Sequence, residues 1–146
     1  ESHALPLAFY LYQKLKNIEE VKKRLVYTNH TPEESGNQVC SIPFLERMSF
    51  FCDLPLAEVI AITKVENDNL NLTLAALRLS KKANAVSKLH QNTLCKTWGG
   101  ENSTCEITSI TNAQDFESWS DMPLYEALKD ENHAEVSMLK KRYKKF

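Results

Sequence analysis

The sequence has 146 residues, of which 18 are basic and 19 acidic, so its formal net charge is −1. Charges of both signs are interspersed, which argues against a nucleic acid or a membrane surface as partner. No apolar run reaches the length of about 18 residues that a membrane span needs. The four cysteines form no Cys-x-x-Cys pair and the four histidines are scattered. This pattern predicts free thiols in a reducing compartment, hence a cytoplasmic protein, and no metal site.

Apolar residues recur at helical spacing along most of the chain, beginning with Leu7, Leu11 and Leu15. Pro6 falls in the first turn of that helix, where its missing N–H costs nothing. The run 70–79 is apolar on almost every side, which predicts a buried helix that organises the rest of the fold. The predicted helices span residues 4–15, 44–51, 56–65, 70–79, 90–98, 121–129 and 134–146.

Three short β-rich runs lie between these helices, at residues 25–28, 83–89 and 107–111. At least one helix separates each run from the next, which argues against a hairpin and favours a parallel sheet. We therefore predict an α/β fold, a partial Rossmann-like three-layer domain with short parallel strands and many helices. Residues 1–146 are expected to form a single piece of such a domain.

Polar residues follow the predicted strands, at the edge where parallel α/β sheets bind their ligands. Asn29 and His30 follow the first strand, His90 the second and Asn112 the third. Asparagine and histidine side chains both donate and accept hydrogen bonds, as recognition of a sugar hydroxyl requires. The alternative is that the asparagines only cap turns and the histidines bond to local groups.

Four segments of the chain carry short motifs in a definite order. They are ESH at residues 1–3, TNHTP at 28–32 with Gly36 behind it, ANAVSKLH at 83–90, and ITNA at 110–113 with Trp119 behind it. These segments resemble the α-glucan phosphorylases (glycogen, starch and maltodextrin phosphorylases), whose patterns are Asn-Glu/Asp-x-His, T-x-H-T-P…G, V-N-G-V-x-x-L/I-H and T-N-G-[IV]…W. The run ITNAQ is similar to a bacterial branch of the family. Ala85 and Ala113 stand where the family has glycine.

The resemblance implies two Rossmann-like domains that face each other across a catalytic cleft. This chain would be a fragment, the last part of the first domain and the start of the crossover to a missing second domain. The implied glycosyl transfer takes orthophosphate and the terminal α-1,4-linked glucose of a glucan to glucose 1-phosphate, with pyridoxal phosphate as cofactor. The cofactor lysine and the phosphate-binding residues belong to the second domain. We therefore expect no catalytic residue here, no activity of the fragment alone, and self-association through its unpaired surface.

Motif positions also imply roles for individual residues. His3 and Asn112 would bind the 6-hydroxyl region of the glucose, and Val86 would line that pocket. Trp119 would lie near the cofactor. Three further residues would support the site, namely Asn29, His30 and His90.

Two other functions stay open from the sequence. The same fold could bind a glucan end without catalysing a reaction, as a non-catalytic binding module. Ala85 and Ala113 would then mark an active site that has lost its activity. The chain could also be part of a glycogen synthase-like glycosyltransferase that uses a nucleotide sugar and has the same two-domain architecture.

Overall fold

The computed structural model describes residues 2–100 and 104–144, which adopt an α/β fold. Five strands occur in this part of the chain, namely β1 (Val26–Asn29), β2 (Val39–Ser41), β3 (Asn69–Asn71), β4 (Lys82–Ala85) and β5 (Glu106–Ser109). The α-helices there are α1 (Pro6–Leu15), α2 (Ile18–Lys22), α3 (Ile42–Arg47), α4 (Leu56–Thr63), α5 (Leu72–Leu79), α6 (Lys88–Trp98), α7 (Phe116–Trp119), α8 (Met122–Lys129) and α9 (His133–Tyr143). Short 3-10 helices cover Ser2–Ala4 and Glu34–Gly36.

The chain divides into two compact units, Glu1–Asn112 and Ala113–Phe146. The first, here called the sheet unit, contains α1 to α6 and all five strands. The second, here called the helical unit, contains α7, α8 and α9.

The three strands predicted from the sequence form one parallel sheet in the order β1-β4-β5. The register aligns Asn29 of β1 with Ala85 of β4, and Ala85 with Ser109 of β5. All three carboxyl ends therefore meet at one edge of the sheet. Helices separate the strands along the chain, as right-handed parallel connections require. The prediction of an α/β, partial Rossmann-like domain with short parallel strands is confirmed.

The structure also contains an antiparallel pair of strands outside the predicted parallel sheet. Strands β2 and β3 pair antiparallel, with Cys40 opposite Leu70. Neither strand lies in the predicted β-rich runs, and residue 70, the predicted first residue of a helix, belongs to β3. The helix α5 begins two residues later because the side chain of Asn71 accepts a hydrogen bond from the N–H of Leu74 at 2.9 Å, as an N-cap does.

Other element boundaries also differ from the prediction. The charged segment that begins at Ile18 is a helix, α2, capped by the Asn17 side chain. Helix α4 follows Pro55 without a side-chain cap and ends at Thr63, two residues before the predicted end. Helix α7 was not predicted, and α9 ends at Tyr143. Residues 145 and 146 of the predicted last helix lie outside the described part of the chain.

The core of the sheet unit joins the helices to the sheet. Phe9 is fully buried and meets Phe50 and Phe51 edge to face, at centroid distances of 6.0 and 5.1 Å. Leu77 and Leu79 of α5 are also fully buried, so the prediction that this run forms a buried helix is confirmed.

The replacement of two family glycines by alanine leaves the backbone unstrained. Ala85 is fully buried at the end of β4. Neither Ala85 nor Ala113 has a positive φ, so neither position needs the left-handed conformation that favours glycine.

Candidate functional site

The carboxyl edge of the parallel sheet brings two of the motif segments together. Beyond β5 the chain continues beside the end of β4, since Ile110 N–H donates to the Ala85 carbonyl at 2.9 Å. Asn112 N–H donates to the Val86 carbonyl at 3.2 Å. Asn112 is exposed and Val86 is half-buried. Two of the three residues expected to contact glucose are therefore neighbours at one end of the sheet.

His3 lies at the same edge, beside the end of β1. A cavity of about 60 Å³, here called the His3 cavity, has room for a few ordered water molecules. It is lined by Ser2, His3, Tyr27, Asn29, Thr31, Gly36, Asn37 and Gln38. Strand β4 stands between β1 and β5, so His3 and Asn112 flank the central strand. Two strand spacings, roughly 10 Å, separate the backbones of β1 and β5.

A chain of hydrogen bonds includes three of the residues that line the His3 cavity, namely Tyr27, Asn29 and Asn37. Asn29 donates through Nδ2 to the Tyr27 hydroxyl at 3.0 Å, and that hydroxyl donates to Thr73 Oγ1 at 3.4 Å. Thr73 in turn donates to Oδ1 of Asn37, which also accepts from Asn29 Nδ2 at 3.4 Å. The ring of His90 meets the other side of Asn29, with Nε2 at 2.8 Å from Oδ1. We call these five residues the polar network.

The polar network holds an uncharged histidine. His90 is only 6% exposed, and its burial lowers its pKa below the ordinary value of 6.5. The charge of His30 lowers the pKa further. Desolvation disfavours the imidazolium, and a second positive imidazole nearby acts in the same direction. The His90 ring is therefore neutral near pH 7.

The predicted supporting residues divide into two kinds. Asn29 and His90 are buried and bonded to each other, whereas His30 is exposed. As in the alternative reading, the His90 ring is bonded to another group of the protein. That group is not local, however, because its partner Asn29 lies in a strand 61 residues away along the chain. Trp119, expected near a cofactor, is 84% exposed in the helical unit.

The described residues do not assemble a site for pyridoxal phosphate. A Schiff-base lysine needs a pocket that lowers its pKa. Lys81 and Lys82 lie at the amino end of β4, far from the ligand-binding edge, and Lys88 is exposed at the start of α6. These three lysines are therefore not placed to hold the cofactor at that edge. Within residues 2–100 and 104–144, no group of three or more His, Cys, Asp or Glu residues could hold a metal ion, and no helix there could cross a membrane.

A larger cavity, of about 260 Å³, lies between the end of α4 and α5. Arg78 from α5 lines it, but its Nη1 donates to the carbonyls of Thr63 and Lys64 at 2.7 and 3.0 Å. The guanidinium thus satisfies carbonyls at the carboxyl end of α4. None of the residues that line this cavity comes from the ends of the parallel strands.

Three residues of the polar network were not identified from the sequence, namely Tyr27, Asn37 and Thr73. Thr73 carried a signal, since it is a hydroxyl residue within an otherwise apolar buried helix, and buried hydroxyls need partners. Asn37 carried none, because asparagine is common in loops. Its Nδ2 ties the loop together by donating to the carbonyls of Thr31 and Glu33 at 3.2 and 2.5 Å.

Comparison with known proteins relates this chain to part of the phosphorylases. It is 32% identical over 133 residues to glycogen phosphorylase of Aquifex aeolicus, covering 83% of this chain and 19% of that protein. It is 29% identical over 123 residues to maltodextrin phosphorylase of Thermococcus litoralis, covering 77% of this chain and 15% of that protein. The chain is related in sequence to a segment of these phosphorylases. The resemblance read from the four motifs is confirmed at this level.

The relatives are much longer than this chain. An uncharacterised protein of Methanocaldococcus jannaschii is 39% identical over 144 residues, which are 97% of this chain and 26% of that protein. The chain thus spans about a quarter or less of the length of the curated relatives it matches. No family model matches the chain. No solved structure matches it either.

Proposed function

We propose that this chain forms one wall of the glucose-binding site in an α-glucan phosphorylase-like glycosyltransferase. The observation that carries the proposal is the meeting of Val86 and Asn112 at the carboxyl edge of the sheet, through the 3.2 Å backbone hydrogen bond. These residues belong to separate motifs of a sequence related to phosphorylases. Ligands of open α/β sheets bind at this edge.

The proposed roles follow from side-chain chemistry. The amide of Asn112 accepts from one sugar hydroxyl and donates to another, and it is exposed to do so. The imidazole of His3 bonds the same hydroxymethyl region from the other side of β4. Val86 packs against the apolar part of the sugar. These groups bind and orient glucose, while no residue of this chain attacks or protonates the glycosidic bond.

The proposed reaction belongs to the whole protein. An oxygen of orthophosphate bonds to C1 of the terminal glucose as the bond from C1 to O4 of the next sugar breaks, and O4 leaves with the proton that orthophosphate gives up. Pyridoxal phosphate would supply the proton chemistry, held by a second Rossmann-like domain with its own lysine. In this proposal the partners are an α-1,4-glucan and phosphate, and the protein is cytoplasmic.

The natural open reading frame that contains this chain provides the test. We expect its product to release glucose 1-phosphate from maltoheptaose only when phosphate is present. Saturable maltoheptaose binding without this release would instead favour a non-catalytic glucan-binding module. Consumption of UDP- or ADP-glucose with growth of the glucan would favour a glycogen synthase-like enzyme. Either result overturns the phosphorylase proposal.

A further inference from the structure

The direction of every hydrogen bond in the polar network can be assigned. Both protons of Asn29 Nδ2 are used, on the Tyr27 hydroxyl and on Asn37 Oδ1. Asn29 Oδ1 is therefore the acceptor that faces His90, and an acceptor at 2.8 Å requires a proton on His90 Nε2. The ring is neutral, so it is the tautomer protonated at Nε2.

The His90 ring is held in place by α6 and not by the loop that it supports. Ser87 caps this helix by accepting from His90 N–H at 3.1 Å. Gln91 donates from Nε2 to the Ile107 carbonyl of β5 at 2.9 Å. Leu94 and Trp98 of the same helix are buried. The start of α6 is thus a rigid support fixed to the central and outer strands.

The hydrogen bonds of Asn29 connect His90 to the residues that line the His3 cavity. Its amide is 2% exposed and every bond it makes goes to another buried or half-buried group. Two of its partners, Tyr27 and Asn37, line the His3 cavity beside His3 itself. Asn37 also holds the loop through the carbonyls of Thr31 and Glu33. If Asn29 turned its amide over, its donors and acceptors would no longer match their partners.

We propose that His90 and Asn29 are positioning residues, which hold the wall of the His3 cavity in the geometry that lets His3 meet its ligand. The inference rests on the proposed function for the role of His3 in glucose recognition. Neither residue touches the sugar in this proposal. His90 does not line the His3 cavity, and Asn29, which lines it, is 2% exposed and uses its amide on other side chains. A groove wall held by side-chain networks keeps its shape only when every member is satisfied.

The first arm of the test uses the chain itself and needs no ligand. Nitrogen-15 spectra of the histidine rings should show His90 protonated at Nε2 only, and a ring protonated at Nδ1 would overturn the assignment. His90→Phe keeps a ring but removes the donor, and should shift the amide signals of Asn29, Asn37 and residues 31–36. His90→Gln can place an N–H near the Nε2 position, and should restore these signals. Shifts confined to α6 in His90→Phe would contradict the inference.

A matched control separates this effect from a general effect of phenylalanine. His133 is exposed at the first position of α9, and His133→Phe should leave the signals of residues 29–37 unchanged. If His90→Phe does not fold, Asn29→Asp replaces it. The carboxylate still accepts from His90 but has no donor for Tyr27 or Asn37, so the loop signals should move while the His90 ring stays protonated at Nε2. Unmoved loop signals would overturn the inference.

The second arm measures activity in the product of the natural reading frame. His90→Phe should lower kcat/KM for maltoheptaose phosphorolysis by a factor on the order of 10 to 100, the usual result of small misplacements in a site. His90→Gln should recover most of this loss, and His133→Phe should show none. Full activity in His90→Phe, with an active wild type, would overturn the positioning role alone. An inactive wild type would overturn the proposed function, and the first arm would still decide whether His90 and Asn29 hold the cavity wall.

Discussion

The sheet unit and the helical unit bury their apolar residues to very different extents. In the sheet unit, buried side chains from all six helices α1 to α6 and from β1, β3, β4 and β5 form one continuous cluster. In the helical unit, the buried cluster consists of Ala127, Val136 and Leu139, with Leu124 packed against it. The same unit exposes Trp119 at 84% and Phe116 at 55%. A unit of about 30 residues with so small a core is below the size that usually folds alone.

This difference explains where a precise polar network can be built. The polar network lies between α5, α6 and β1, where surrounding side chains already fix the backbone. Buried hydrogen bonds in such surroundings are costly to leave unmade, so the network is kept intact. The helical unit offers no comparable frame. We therefore expect the sheet unit to set the stability of the chain and the helical unit to lose structure first.

The largest expected effect comes from a matched pair of core truncations. Leu77 in the sheet unit is fully buried, and Leu139 in the helical unit is 8% exposed. Leu77→Ala should destabilise the chain by about 2–5 kcal/mol, through lost burial and the cavity that remains. Leu139→Ala should cost about 1 kcal/mol or less in the main transition. Urea unfolding followed by circular dichroism measures both, and equal costs would show that the two units unfold together.

A substitution at Gly36 tests how tightly the loop over the His3 cavity is packed. A Cβ at this position would collide with the methyl group of Thr31. Gly36→Ala should therefore cost about 1–3 kcal/mol, as overpacking does. Thr31→Ser removes that methyl group, so the double variant should recover most of the loss. Gly100→Ala is the control, since a Cβ there meets nothing within 4 Å. Equal losses of stability in Gly36→Ala and Gly100→Ala would show that the loop adjusts to the added methyl group at no cost.

The acid sensitivity of the sheet unit should depend on His90. Its pKa is lower in the folded protein than its ordinary value of 6.5, so the unfolded chain binds more protons as the pH falls through this range. Stability should then be full above about pH 6.5 and decrease on acidification toward the lower, folded pKa. Thermal unfolding at several pH values should show a smaller decrease in His90→Gln. An unchanged slope in that variant would assign the titration to another group.

The smallest expected effect on stability concerns the exposed aromatic surface of the helical unit. Trp119→Ser should change the free energy of unfolding by no more than about 0.5 kcal/mol, as is usual for an exposed side chain. It should, however, reduce self-association of the chain at high concentration, because large exposed apolar groups mark contact surfaces. Light scattering measures the self-association of Trp119→Ser and of a comparison variant, Val26→Ser. The latter removes a 71% exposed side chain from the edge strand β1. A larger reduction in Val26→Ser would place the contact on the sheet unit.

The sequence predicted most of the sheet unit because its signals are local. The apolar run of α5 and the β-rich runs of the parallel strands are patterns of a few neighbouring positions. Strands β2 and β3 were missed because each has only three residues, and their pairing joins segments about 30 residues apart. Helix α7 has only four residues and no periodicity to detect.

The sequence named some residues of the candidate site but not the connections between them. The motifs identified Asn29, His90, Val86 and Asn112, and the rule for parallel sheets placed them at one edge. The bond between Asn29 and His90 could not be predicted, since it spans 61 residues and depends on the strand order. The shared His3 cavity depends on the fold of the loop after β1 in the same way.

The proposed glucose-binding wall is tested most directly by Asn112→Ala in the product of the natural reading frame. Asn112 is exposed at the carboxyl edge of the sheet and carries little of the core, so Tm should stay nearly unchanged. The variant should lose about 1–3 kcal/mol in kcat/KM for phosphate-dependent release of glucose 1-phosphate from maltoheptaose, the usual cost of an unpaired polar group. Asn92→Ala, at an exposed position of α6, should keep full activity. An Asn112→Ala enzyme as active as the wild type would contradict the proposed role of this edge of the sheet in glucose recognition.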